Sequence, residues 1–131
     1  MLPALRRRLR EDQGSAVAEF ALVAPLVLLV ALAVLQLALA LHVRSTLTAA
    51  AAEGARAGAL AHSGPVAAEE RTRAILGAAL GGGAATEVQA QRTLLEGVPV
   101  IRVRITARLP LVGMLGPTAM TLEGHAIAER T

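Results

Sequence analysis

Gly14-Ser15-Ala16-Val17-Ala18-Glu19-Phe20 opens a stretch that then runs to Leu41 without another charge. Residues 20–41 number 22 and are apolar apart from Gln36. As a helix they extend about 33 Å, enough to cross the hydrocarbon core of a bilayer. A carboxylate at the edge of such a segment is expensive in lipid, so Glu19 reads as a functional residue that needs a partner. The chain is expected to work while anchored in a membrane.

Working outward, the anchor takes about the first third of 131 residues. The remainder holds no aromatic residue, since Phe20 is the only one in the chain, and there is no cysteine to staple it. A core of scattered Leu, Ile, Val and Met, filled out with alanine and glycine, is marginal alone. Such a domain is expected to lean on its own membrane helix or on partner subunits. All thirteen basic residues are arginine, and Arg6, Arg7, Arg8 and Arg10 lie just ahead of the span. Nucleic-acid readers usually add lysine and stacking aromatics, and both are missing, so no nucleic-acid partner is expected. The basic cluster instead holds the N-terminus in the cytoplasm by the positive-inside rule, because only Arg44 follows the span closely. This gives three parts: a cytoplasmic basic leader (1–14), a transmembrane and extended helix (15–61) and a small extracytoplasmic domain (62–131).

Two residues interrupt the span. Pro25 removes a backbone donor and predicts a kink near the start of the helix. Gln36 is expected to bond to a neighbouring helix or to its own backbone. The helical pattern continues past Leu41 to about residue 61, with Glu53 and Arg56 spaced to meet on one face. Ala50, Gly54 and Gly58 recur every four residues, a small-residue stripe that lets another helix or a sheet approach closely; alanine-rich base composition would produce the same stripe. His62-Ser63-Gly64-Pro65 breaks the helix. A second one is predicted from Pro65 to Leu80, with proline in its first turn, Glu69 and Glu70 near its N-terminus, and Gly81-Gly82-Gly83 at its end.

The rest reads as strands. Ile101, Val103, Ile105, Ala107 and Leu109 alternate with Arg102, Arg104, Thr106 and Arg108 at a period of two. A weaker strand over residues 87–94 precedes this one across a turn at Glu96-Gly97. Residues 110–117 read as a loop, and a third strand runs from 118 to about 128. The predicted class is α+β: a long N-terminal transmembrane helix, a second helix and a roughly three-stranded antiparallel sheet. The arginine stripe reads as a solvated sheet face, with an acidic partner surface as the alternative.

Nothing in the sequence points to catalysis. The one aspartate, Asp12, lies on the leader, and His42, His62 and His125 show no metal-ligand spacing. Gly81-Gly82-Gly83 lacks the Lys-Ser/Thr of a phosphate loop and follows a helix rather than a strand. No enzyme activity, cofactor, metal or small-molecule substrate is expected.

The signal concentrates at Gly14. A basic leader, a glycine, a hydrophobic segment and a glutamate five residues after the glycine resemble the processing site of type IV pilin-like proteins. The order from Gly14 and Ser15 through Glu19 and Phe20 to Pro25 resembles the TadE-like family of pilus-assembly pseudopilins. The alanine-rich residues 49–57, with Glu53-Gly54-Ala55-Arg56, are similar to the segment that follows the span in that family. The resemblance implies cleavage by a prepilin peptidase after Gly14, with Ser15 as the new N-terminus. It also implies a single-pass protein of the plasma membrane whose partners are other pilins or pilus-assembly proteins, besides the membrane lipid. Glu19 and Phe20 would serve assembly or peptidase recognition. In the processed chain Glu19 could pair with the α-amine of Ser15 on a neighbouring subunit, offsetting the desolvation of both. Two other readings compete. Ala38-Leu39-Ala40 has the form of a signal-peptidase site, and cleavage after Ala40 would release a secreted protein, although the apolar stretch is long for a signal sequence. An unprocessed single-pass scaffold is the other.

Overall fold

The computed structural model describes residues 2–60, 62–81, 85–109 and 118–129. Helix α1 (Leu2–Ala59) and helix α2 (Pro65–Leu80) are followed by strands β1 (Ala85–Leu95), β2 (Val98–Leu109) and β3 (Thr118–Ile127), which form an antiparallel sheet in the order β1-β2-β3. The chain is α+β. It divides into two compact units, Met1–Ala38 and Leu39–Thr131, so the last third of α1 belongs to the folded unit.

In the first unit α1 is helical from Leu2, so the basic leader is helical as well, and Pro25 lies inside the helix without ending it. The large apolar side chains of the span, from Phe20 to Leu37, are exposed. A helix apolar on every side belongs in lipid. Among the described residues α1 is the one helix long and apolar enough to cross a membrane. The side-chain oxygen of Gln36 is shielded and has no hydrogen-bond partner among the described residues.

The second unit folds on residues 43–59 of α1. Val43, Leu47, Ala50, Ala51, Ala55 and Ala59 are buried, a stripe at helical spacing that faces the core. The inner face of β2 completes it with Ile101, Val103, Ile105 and Ala107, all fully buried, while α2 adds Ala68 and Leu76 and β1 adds Val88. The alternation read from the sequence is thus a half-buried strand with its arginines outward. Leu95 pairs with Val98 across Glu96 and Gly97, whose φ angles of 52° and 83° define a two-residue type I′ hairpin turn. Gly97 makes the positive φ inexpensive at the second position. The loop expected over residues 110–117 lies outside the described residues. Beyond β3, the Ala128 amide donates to the Pro99 carbonyl and the Glu129 amide to the Ala59 carbonyl, which ties the end of the sheet to the end of α1.

Candidate functional site

The junction residues belong to the first unit. Gly14, Ser15, Glu19 and Phe20 all lie on α1 and are all exposed. A Cβ built on Gly14 meets nothing within 4 Å. None of the ion pairs among the described residues involves Glu19. The segment therefore presents a glycine and a carboxylate five residues apart on an unoccupied helix surface at the head of an apolar span. Such an arrangement can be recognised by another protein.

The second unit contains the small-residue stripe. A Cβ on Gly54 would come within 1.8 Å of the Thr72 hydroxyl and 2.9 Å of the Ala68 carbonyl. One on Gly58 would come within 2.6 Å of the Ala68 Cβ and 2.8 Å of the Gly64 carbonyl. These are closer than atoms can approach, so α2 rests directly on the backbone of α1 at both glycines. Ala50 is fully buried one turn earlier. Thr72 is the buried polar side chain at this seam, and its hydroxyl donates to the Ala68 carbonyl at 2.7 Å, which leaves it satisfied. At the rim Glu53 reaches Arg56 at 3.8 Å and Arg71 of α2 at 3.7 Å. Exposed pairs of this length add little stability but help to set the register of the two helices.

Glu69 and Glu70 sit in the second turn of α2, past the reach of its N-terminal dipole, and Glu69 has another use. Its carboxylate accepts the Ala90 amide of β1 at 3.0 Å and the Arg73 guanidinium at 3.1 Å. Arg73 in turn donates to the Val88 carbonyl at 3.0 Å. Two side chains of α2 thus stand in for a neighbouring strand along the β1 edge, where backbone groups would otherwise be open to association.

On the outer face of the sheet Arg104 donates to Glu123 at 2.8 Å, and Arg102 donates to His125 at 3.1 Å. Glu123 lies 3.9 Å from both Arg102 and His125. The Arg104 hydrogen bond holds the Glu123 carboxyl below its ordinary range; desolvation opposes this, and the charges of Arg104, Arg102 and His125 assist it. Beside this cluster a shallow cavity of about 230 Å³ is lined by Glu69, Gln89, Gln91, Arg102 and Arg104. No group of three or more metal-ligating side chains occurs among the described residues.

Residues 14–56 match the family model described as TadE-like protein. The TadE-like segment thus opens at Gly14, takes in Glu19, Phe20, Pro25 and the whole span, and closes at Arg56 on the platform that receives α2. No curated protein and no solved structure matches the chain.

Within the TadE-like segment Gly54 packs against α2, as does Gly58 just beyond it, whereas Gly14, Glu19 and Phe20 are exposed. Sequence reading missed Gly124 of β3, where a Cβ would lie 2.6–2.7 Å from backbone atoms of Ala51 and Ala52. A lone glycine inside an alternating strand is the signal that could have found it. It also missed the seam residue Thr72, which stands four residues from both Ala68 and Leu76 on the buried face of α2.

Proposed function

We propose that this chain is a membrane-anchored minor pilin or pseudopilin of a Tad-type pilus, cut by a prepilin peptidase after Gly14 and held in the plasma membrane by a single span. The observation that carries the reading is the TadE-like segment, which opens at Gly14 directly ahead of the span. Four arginines before the span and only Arg44 soon after it support an N-in, C-out orientation, with the folded unit outside the cytoplasm. The partners are the peptidase, other pilins or pilus-assembly proteins, and lipid. Glu19 would pair in the assembled state with the α-amine of Ser15 on a neighbour, and its exposure on α1 leaves it available for that.

Co-expression with a prepilin peptidase, followed by N-terminal sequencing, tests the reading. Ser15 is the expected N-terminus, and Gly14→Leu should abolish the cut. Leu41 would mark secretion after a signal peptide, and Met1 beside an active peptidase would mark an unprocessed scaffold. Cleavage at the cytoplasmic face also requires the proposed orientation. Glu19→Ala should leave cleavage and insertion intact, since a carboxylate in lipid costs on the order of 3 kcal/mol on insertion scales. Co-purification with pilus components should fall instead. Undiminished assembly would reduce Glu19 to a marker of the membrane interface, and lost cleavage would reassign it to peptidase recognition.

A further inference from the structure

α1 carries three glycines, and the structure separates them. Gly54 and Gly58 are required by contact, because a side chain at either would run into α2. Gly14 is not: a Cβ there meets nothing within 4 Å, and its φ lies in the ordinary helical region rather than the left-handed one. Neither packing nor backbone geometry calls for glycine at this position. What remains is its low helix propensity, about 1 kcal/mol below alanine.

That property bears on the bond proposed to be cut, because α1 runs without a break from Leu2 through Gly14 to Ala59. In α-helical geometry the Ser15 amide donates to the Glu11 carbonyl, and the Gly14 carbonyl accepts from the Ala18 amide. Hydrolysis adds water across this peptide bond: hydroxide to the Gly14 carbonyl carbon, a proton to the departing Ser15 nitrogen. Both reacting groups are engaged within the helix, so the helix must open before a peptidase can reach them. The leader ahead of Gly14 is poorly equipped to resist. Residues 10–20 are exposed throughout, and no ion pair among the described residues involves Arg6, Arg7, Arg8, Arg10, Glu11 or Asp12. A helical segment of roughly a dozen residues without tertiary support is marginal in water. Beyond Phe20, lipid has no donors or acceptors to replace the backbone bonds, so the helix there must persist.

We infer that Gly14 is the opening point of α1: the leader unwinds up to this residue and presents the Gly14-Ser15 bond in extended form, while the span stays helical. The inference rests on processing after Gly14 as proposed above. It makes Gly14 a positioning residue that acts through helix stability in addition to the small size that a bulky leucine would violate.

Alanine and serine separate the two explanations. Alanine is the smaller and the better helix former, so selection for size favours Gly14→Ala, whereas helix opening favours Gly14→Ser. With the full chain in membranes and a prepilin peptidase, Gly14→Ala should be cut about fivefold more slowly than the parent, the factor that corresponds to about 1 kcal/mol of helix propensity. Gly14→Ser should fall between them, and adding Gln13→Gly to Gly14→Ala should restore the rate. Amide exchange of Ser15 and Ala18 in bicelles without peptidase should slow by the same factor in Gly14→Ala. If the parent is cut and Gly14→Ala is cut equally fast, the opening point is refuted while processing stands. Slower cleavage with unchanged exchange would also refute it, since the glycine would then be read by size. A parent chain left intact by an active peptidase would overturn processing itself, and exchange alone would then report on the helix.

Discussion

Leu29 and Leu47 lie on the same helix and have opposite surroundings. Leu29, in the span, is 64% exposed, whereas Leu47, between four and five turns past the midpoint of α1, is fully buried beside Ala50, Ala51 and Ala55. The leucines and valines of residues 20–37 face outward, where lipid is their solvent, and Ala50, Ala51, Gly54, Ala55, Gly58 and Ala59 face inward, where backbone meets backbone. Hydrophobicity therefore does not mark the folded core of this chain. Most of the large apolar side chains of α1 lie in the span, and the core of the folded unit combines the small residues of α1 with a few larger ones such as Leu47 and Leu76 and one face of β2.

The same substitution at the two leucines gives the widest contrast. Leu47→Ala leaves a cavity between α1 and its neighbours and should cost the folded unit about 2–5 kcal/mol. Leu29→Ala should change the stability of that unit by no more than about 0.5 kcal/mol, because it removes no contact within it. Denaturant unfolding of the full chain in detergent, followed through the sheet, measures both. Equal effects would break the distinction between lipid-facing and core-facing parts of α1.

The glycines give the next contrast. Gly124→Ala drives a methyl group against backbone atoms of Ala51 and Ala52, which cannot rotate away, and should cost about 1–3 kcal/mol. Gly54→Ala meets the Thr72 side chain first, so Thr72→Ala should recover part of its loss. The double mutant is then less destabilised than the sum of the two singles, the signature of residues in contact. Additive losses would mean that α2 is not seated on Gly54. Thr72→Ala offers no such relief to Gly124→Ala.

These contrasts show which features the sequence could reveal. Helix α2, the hairpin turn at Glu96-Gly97 and the inward face of β2 were legible because each is fixed by neighbours in sequence: a proline and glycines at helix ends, a turn dipeptide, a period of two. The Ala50, Gly54 and Gly58 stripe was legible as a place of close approach, but its partner was not, since α2 and a neighbouring membrane helix would leave the same trace. The closure of the β1 edge by Glu69 and Arg73 was hidden for another reason. Glu69 and Ala90 stand 21 residues apart, and only tertiary placement brings them together. The junction at Gly14, by contrast, was read from a local order of residues, and the TadE-like match begins on the same glycine.

The smallest expected effect concerns charge on the outer face of the sheet. Arg104 and, farther off, Arg102 and His125 surround Glu123, and its folded-state pKa lies below the ordinary value of 4.5. A carboxyl whose pKa is lowered on folding adds stability that is fully present above its unfolded pKa and is lost as pH falls through the folded one. The advantage of the parent over Glu123→Gln should therefore be constant from neutral pH down to about 4.5 and shrink below it. It should also diminish with added salt, because the cluster is partly exposed and screened. Following the Glu123 carboxyl by NMR through an acid titration gives the decisive reading. A midpoint at or above 4.5 would mean that Arg104 does not hold the carboxylate in its charged form, and the sheet face would then be a solvated surface without an organised cluster.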